Sequence, residues 1–115
     1  MDLKEKFADL GCCNEQNSTI TSYVVNDLNK RKRMYLVNCH YSEKLERLYL
    51  SAKKTPDSEY NIYLPISSKE SLPYSILNKY VNVLSENALE KSIVLAFCTQ
   101  DTKCIYYRLK EGLPE

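Results

Sequence analysis

The residue types that most often carry catalysis or bind metal are few in this sequence and lie far apart along it. The chain has one histidine, His40, and five cysteines with no CxxC pair among them. The cysteines are Cys12, Cys13, Cys39, Cys98 and Cys104. Adjacent cysteines are poorly placed to bind one zinc ion together, and a free thiol in an apolar run behaves as a small hydrophobic side chain. We therefore expect reduced structural thiols, no metal site and no cofactor.

His40 is the side chain best suited to proton transfer near neutral pH, because imidazole titrates there. It lies in the segment Asn38-Cys39-His40-Tyr41, beside a predicted strand. A lone histidine is more often a packing or surface residue than a catalyst. Both roles stay open for His40.

Four consecutive basic residues, Lys30, Arg31, Lys32 and Arg33, could act on a charged partner. The formal net charge is only +1, so any contact with RNA must be local. The run has three interpretations: it touches RNA phosphates, it serves as a nuclear import signal, or it ends a helix whose dipole favours cations there.

The elements that must position these residues belong to one small domain. A chain of 115 residues with 43% hydrophobic and 27% charged side chains is typical of a globular protein, and we expect a single domain over residues 1–115. The opening residues MDLKEKFADLG carry charges throughout, so we expect neither a secretory signal nor a membrane span there. Together with the expected reduced thiols, this favours a reducing, aqueous compartment, the cytosol or the nucleus.

Hydrophobic spacing predicts the order of the elements. We expect N-terminal helices within residues 1–30, strands within 33–65, a helix over 71–90 and a C-terminal hairpin over 92–110. In more detail, a turn is predicted at 14–18, and the three strands at 34–37, 45–50 and 60–64, the last ending before Pro65. This order predicts an α/β (α+β) fold, a mixed sheet packed against helices.

The last predicted strand is unusual in being apolar on one face and partly aromatic on both. One face carries Ile105, Tyr107 and Leu109, and the other carries Cys104, Tyr106 and Arg108. A terminal strand usually lies at a sheet edge, where natural proteins place charge or proline to prevent pairing with other chains. This strand has little of either. The two tyrosines are either core residues or part of a contact with another protein.

The C-terminal sequence SIVLAFCTQDTKCIYYRLKEGLPE resembles the end of tRNA-splicing endonuclease subunits, which carry an apolar strand, an acidic turn and a strand with paired tyrosines. The segments TSYVVNDLNKRKRMYLVN, LERLYLSAKK and YNIYLPIS resemble the smallest eukaryotic subunit. The resemblance covers nearly the whole chain. It implies the tRNA-intron endonuclease, or restriction-endonuclease-like, fold.

The catalytic chains of that family cleave RNA without metal through a Tyr, a His and a Lys, which leave a 2′,3′-cyclic phosphate and a 5′-hydroxyl. By resemblance, Lys91 stands at the position of the lysine and Tyr49 in the region of the tyrosine. Asp57 occupies the place of the histidine, and an exposed aspartate carries no proton to donate at neutral pH. We expect no catalytic residues here. The enzymatic alternative is a small ribonuclease that uses Tyr49, His40 and Lys91.

The resemblance also implies two modes of association. The C-terminal strand pairs with a catalytic subunit in a heterodimer, and the turn before it docks onto the other dimer of a heterotetramer. The implied interface consists of Asp101, Cys104, Ile105, Tyr106, Tyr107 and Leu109. Asp101 is the only acidic residue of its turn, and an ordinary hairpin turn remains the alternative.

The sequence therefore predicts a non-catalytic subunit of the tRNA-splicing endonuclease that contacts pre-tRNA indirectly. The family implies a nuclear location, or the cytosolic face of mitochondria as in some yeasts. The isolated chain is expected to form homodimers through its unused edge. A standalone RNA-binding module that uses residues 30–33 is the third hypothesis.

Overall fold

The structure, a computed structural model, describes residues 3–86, 91–99 and 101–110. The helices of this part are α1 (Leu3–Leu10), α2 (Glu15–Asn26), a single π-helical turn (Asp27–Arg31) and α3 (Tyr74–Leu84). The strands are β1 (Tyr35–Ser42), β2 (Arg47–Lys53), β3 (Tyr60–Ser67), β4 (Ser92–Cys98) and β5 (Cys104–Lys110). None of the described helices is long and apolar enough to cross a membrane.

The five strands form one mixed sheet in the order β1-β2-β3-β4-β5. Neighbouring strands are antiparallel except β3 and β4, which are parallel and joined by a crossover through α3. This confirms the predicted α+β class with a mixed sheet and helices. It also places β1 and β5 at the two edges.

Each face of the sheet buries its own apolar core, because strand side chains alternate between faces. The face beneath α1 and α2 carries Leu48, Leu50, Tyr63, Val94 and Ala96 against Phe7, Ile20, Val24 and Leu28 of the helices. The opposite face carries Leu64, Ile66, Ile93 and Leu95 against Val81 of α3. The continuous apolar run of β4 is explained by burial on both faces.

The N-terminal helices confirm one expectation and correct another. α1 ends at Gly11, whose φ of +114° is unfavourable for residues with a side chain. Residues 14–18 do not form the predicted turn: Asn14 caps α2 by accepting a hydrogen bond from Asn17 N at 2.9 Å, so the helix already begins at Glu15. The polar residues that suggested a turn instead supply the cap and the first helical turn.

The predicted strands were too short. β1 extends to Ser42, β2 begins later than predicted but runs on from Arg47 to Lys53, and β3 runs through Pro65 to Ser67. Arg47 Nη2 donates to Pro65 O at 3.0 Å, so the backbone of Pro65 faces β2. The pairing of β3 with β2 ends before this residue, at Tyr63. The missing N–H of proline therefore breaks no ladder bond, which is why the strand continues.

The helix predicted over 71–90 is shorter in the described part. It begins at Tyr74, with Pro73 at the N-cap position, and ends at Leu84. Residues 87–90 of that prediction lie outside the described residues. Proline suits this start because its fixed φ is compatible with the first turn.

A half-buried ion pair stabilises the α3 face at the start of β2. Arg47 and Glu70 form two hydrogen bonds, at 2.7 and 3.0 Å, and Ser67 N donates to the same carboxylate at 2.7 Å. Arg47 also lies over the ring of Tyr80 in α3, 5.7 Å from its centroid. Burial alone would raise the pKa of Glu70, but these hydrogen bonds hold it below its usual value. The pair connects β2, the end of β3 and α3.

Candidate functional site at the C-terminal edge strand

The edge strand β5 forms a regular hairpin with β4. All seven residues of each strand are in register, from Ser92 opposite Lys110 to Cys98 opposite Cys104. The hairpin is closed by a hydrogen bond from Thr99 N to Lys103 O at 3.0 Å. Thr102 in this turn has a φ of 63°, which is rare for a β-branched residue.

The side chains of β5 on the α3 face remain open to solvent. Ile105 is 65% exposed and Tyr107 is 61% exposed, whereas Leu109 packs at the border of the core. Among the described residues, α3 packs over β4, and Ile105 and Tyr107 of the outer strand remain exposed. The predicted alternation of faces along β5 is therefore correct, and its apolar face is a surface.

The backbone of β5 is open along the same edge. The Thr99–Lys103 hydrogen bond fixes the alternation of the antiparallel ladder, so residues 105, 107 and 109 direct their N–H and C=O groups to β4. Tyr106 and Arg108 direct theirs away from β4, toward a side on which no described strand lies. Such an edge can accept a further strand.

The inner side of β5 is tied to the helical layer. Tyr106 Oη donates a hydrogen bond to Asp27 Oδ2 at 2.5 Å, and its ring meets Tyr63 edge-on with centroids 5.9 Å apart. Burial and the neighbouring carboxylate raise the pKa of Tyr106, so its hydroxyl stays protonated. The paired tyrosines thus have different environments: Tyr106 is half-buried against the core, and Tyr107 is exposed.

Two cysteines of the hairpin also face inward. Cys98 Sγ and Cys104 Sγ lie 3.2 Å apart as free thiols, and both side chains are buried. Burial raises the pKa of both. They act as packing residues in this structure.

The residues implied for the interface therefore differ in their exposure to solvent. Ile105, Tyr107 and the turn residue Asp101 are exposed, and Leu109 is half-buried. Cys104 and Tyr106 point into the core beneath α2.

The residues of the basic run differ as well. Arg31 forms an ion pair with Asp27, with Nε 2.6 Å from Oδ1, and its Nη2 donates to Cys104 O at 3.4 Å. Lys32 Nζ lies 5.1 Å from the centroid of the Tyr106 ring. Lys30 and Arg33 are exposed. Lys30 and Arg31 end the helical segment, as one of the three interpretations expects, and Lys32 turns toward the sheet.

Asp27 is the structural residue that the sequence analysis missed. It accepts hydrogen bonds from Arg31 and Tyr106, and these outweigh the effect of burial and lower its pKa. Its spacing of four residues before Arg31 was the local signal for the ion pair. The link to Tyr106 has no local signal, because the two residues lie far apart in the sequence.

The three residues of the ribonuclease alternative are engaged in structural contacts. His40 stacks on Tyr49, with centroids 5.0 Å apart, and its Nε2 lies 2.9 Å from Ser51 Oγ in a hydrogen bond. Burial lowers the pKa of His40, so its imidazole is neutral at pH 7. Tyr49 lines an open groove of about 610 Å³ that neither His40 nor Lys91 lines.

The two family-equivalent positions serve local structure. Lys91 Nζ donates to Ser85 O at 2.9 Å and to Glu86 O at 2.8 Å, and so binds the carbonyl groups at the end of α3. Asp57 is exposed in the loop between β2 and β3. Within the described residues, no three His, Cys, Asp or Glu side chains are grouped so that they could hold a metal ion.

Fold and site together define a class of protein: a small α+β domain whose strand β5 has an unpaired outer edge within the described residues. Comparison with family models gives the family. The model described as Sen15 protein matches residues 23–115, and the chain belongs to that family. Sen15 is the small subunit of the tRNA-splicing endonuclease, which confirms the resemblance. A comparison with curated proteins found no match.

Proposed function

We propose that this chain is a non-catalytic subunit of the tRNA-splicing endonuclease and pairs with a catalytic subunit through β5. The observation that carries the proposal is the open edge at Ile105 and Tyr107, which are 65% and 61% exposed. Burying an apolar side chain of this size contributes about 1.5–3 kcal/mol before the costs of association are deducted. Strand addition would also satisfy the outward backbone groups of Tyr106 and Arg108.

A non-catalytic role is supported by the contacts of the candidate residues. Cleavage by the family's chemistry needs an acid, a base and a cation around one phosphate. Here the ammonium of Lys91 binds the end of α3, and the neutral imidazole of His40 bonds to Ser51. Tyr49 is stacked on that imidazole. These contacts favour structural roles for all three side chains.

Co-expression with the catalytic subunit tests the pairing. We expect a stable heterodimer that survives affinity purification and size-exclusion chromatography. The double variant Ile105→Asp/Tyr107→Asp should weaken it by about 100-fold, because two apolar side chains contribute about 3 kcal/mol. The matched control is Leu36→Asp on the opposite edge, since Leu36 is 60% exposed.

Equal retention of the partner by both variants would contradict pairing through β5. Loss of the partner in both would place the contact elsewhere or reveal general unfolding, which circular dichroism would show. The isolated wild-type chain is expected to form a homodimer through the same edge, and the double variant should then be monomeric.

Incubation of the purified chain with pre-tRNA tests the absence of catalysis. We expect no cleavage by the wild type or by His40→Ala. Cleavage by the wild type that disappears in His40→Ala would establish the ribonuclease alternative instead.

Two finer parts of the proposal concern assembly and location. Asp101 is exposed at the tip of the hairpin, where it could dock onto the second dimer of a heterotetramer. Asp101→Lys should then reduce the heterotetramer and leave the heterodimer intact, as measured by light scattering.

We also propose a nuclear location, with the cytosolic face of mitochondria as the alternative, which microscopy of a tagged chain would distinguish.

A further inference from the structure

A cavity on the helical face of the sheet brings together three cations that are distant in the sequence. Its volume is about 220 Å³, and it lies where the π-helical turn passes over the first residues of β4. Lys32 comes from the segment after that turn, Lys54 follows β2, and Arg108 belongs to β5. Its other lining residues are Leu28, Met34, Tyr63, Val94 and Tyr106.

None of the three cations forms an ion pair within the described part of the chain, although the carboxylate of Asp27 interacts electrostatically with Lys32. No described carboxylate lies within salt-bridge distance of Lys32, Lys54 or Arg108. The nearby carboxylate of Asp27 already binds Arg31 and Tyr106. Among the described residues, no acidic side chain lines the cavity. A positive potential therefore remains at its mouth, and the ligand it favours is an anion.

Arg108 is held in place by neutral groups. Its Nη1 donates to Ser92 Oγ at 3.1 Å, and its Nη2 donates to Asn61 Oδ1 at 3.0 Å. These bonds orient the guanidinium without cancelling its charge. A planar guanidinium in a fixed position matches the oxygens of a phosphate.

The size and lining of the cavity restrict the anion further. The volume far exceeds that of a single water, about 30 Å³, and is smaller than the roughly 300–1,000 Å³ of pockets that enclose whole small molecules. It therefore fits one unit of a larger molecule. The apolar floor and the rings of Tyr63 and Tyr106 suit the sugar or base attached to a phosphate.

We propose that Lys32, Lys54 and Arg108 form a binding site for one nucleotide of an RNA strand, with the phosphate at the three cations. The choice of RNA rests on the proposed function, because the enzyme of this family acts on tRNA precursors. The site differs from the basic run of the sequence analysis. It uses only Lys32 of that run and adds two cations from the sheet.

The experiment measures binding of the full-length chain to a short single-stranded RNA by fluorescence anisotropy over a range of salt concentrations. The site variant is Lys32→Gln/Lys54→Gln/Arg108→Gln. The control, Lys30→Gln/Lys69→Gln/Lys79→Gln, removes the same charge from exposed residues outside the cavity. Because both variants lose three cations, a difference between them reports the cavity and not the net charge.

We expect the site variant to bind at least about 10-fold more weakly than the control, which corresponds to one lost charge-assisted hydrogen bond. Its slope of log affinity against log salt should become shallower by about 0.7, since roughly 0.7 counterions are released per phosphate contacted on a single strand and the site takes one phosphate. NMR amide shifts on RNA addition should centre on Met34, Tyr63 and Val94. If the triple variant is less stable, Lys54→Gln alone should still reduce the slope.

Equal losses in the site and control variants would overturn the proposal, because binding would then be general attraction to a charged surface. Inorganic phosphate should compete only weakly, and competition as strong as that of RNA would refute the assignment to a nucleotide. Preference for a glutamate-rich peptide over RNA would assign the cavity to a protein partner. Copurification of the catalytic subunit with Lys54→Gln, whose substitution lies outside β5, should be unchanged, so failure of this proposal is distinguishable from failure of pairing through β5.

Discussion

The two edges of the sheet differ in how they are protected. β1 is irregular, with a shift in its pairing with β2 between Tyr35 and Asn38, and Leu36 in this bulge has a φ of 52°. α1 packs against the same strand. β5 pairs with β4 over seven residues without a bulge. Since bulges and covering elements prevent edge pairing, β1 is a closed edge and β5 an open one.

The comparison shows that exposed apolar side chains alone do not mark an interface. Leu36 on β1 and Tyr107 on β5 are almost equally exposed, at 60% and 61%. Only Tyr107 lies on a strand whose backbone is regular enough to accept another strand. The difference between the edges therefore lies in the backbone, and the predictions below test it from the largest expected effect to the smallest.

The largest difference in stability is expected between alanine variants of Tyr106 and Tyr107. Tyr106→Ala removes the hydrogen bond to Asp27 and the contact with Tyr63, and should reduce the free energy of unfolding by about 3 kcal/mol. Tyr107→Ala, an exposed position, should change it by less than about 0.5 kcal/mol. Urea unfolding of the two variants measures this. Equal losses would show that the outer face of β5 stabilises the chain itself.

Backbone conformation should give effects of opposite sign at the two edges. In Gly11→Ala, a residue with a side chain would have to adopt a φ of +114°, and its Cβ would lie 3.3 Å from Tyr41 Cδ2. We expect this variant to reduce the free energy of unfolding by about 1 kcal/mol. Thr102→Gly relieves a φ of 63° in the β5 hairpin and should be neutral or stabilising. Thermal unfolding compares them, and stabilisation by Gly11→Ala would be inconsistent with the strain at that residue.

Acid should weaken the β1 side first. Burial lowers the pKa of His40 below 6.5, so the imidazole binds a proton more readily in the unfolded chain than in the folded one. The free energy of unfolding therefore falls as the pH drops below about 6.5. For Asp27, hydrogen bonds from Arg31 and Tyr106 outweigh burial and lower its pKa below 3.8. The stabilisation by Asp27 is present at neutral pH and is lost only as the pH falls through that lowered pKa.

Urea midpoints across this pH range test the order of the two declines. His40→Gln should remove the first, and Asp27→Asn should reduce the second, to which Glu70 also contributes through its lowered pKa. A first decline that persists in His40→Gln would exclude His40 as its cause.

Thiol reactivity should show the smallest difference. Cys13 is exposed, Cys39 on β1 is half-buried, and Cys104 on β5 is buried. Burial raises the pKa of Cys39 and of Cys104, which reduces their reactivity. Alkylation followed by mass spectrometry should label Cys13 first, then Cys39, and Cys104 last. Early labelling of Cys104 would indicate that β5 separates from the helical layer.

Local patterns predicted the edge strand well. The alternation from Cys104 to Leu109 correctly divided inner from outer side chains, because the period of two is a property of any strand. The start of α2 and the continuation of β3 through Pro65 were predicted wrongly. The start of α2 depends on the cap at Asn14. The length of β3 depends on where its pairing with β2 ends, which only the tertiary structure shows.

The candidate sites show the same limit. The resemblance in the C-terminal hairpin and in three upstream segments predicted the family, which the match over residues 23–115 confirms. The cavity of Lys32, Lys54 and Arg108 could not be predicted, because its members come from three segments that meet only in the folded sheet. The contact of Tyr106 with Asp27 escaped prediction for the same reason.

That contact has a kinetic consequence. Tyr106 and Arg31 hold β5 against the helical layer in the isolated chain, so the strand would already be formed for the pairing proposed above. A preorganised strand loses little conformational entropy on association, and docking should approach the rate of a rigid encounter, about 10⁵–10⁷ M⁻¹ s⁻¹. Substitutions that remove the contacts of Asp27 should then lower the association rate of the complex more than they raise its dissociation rate.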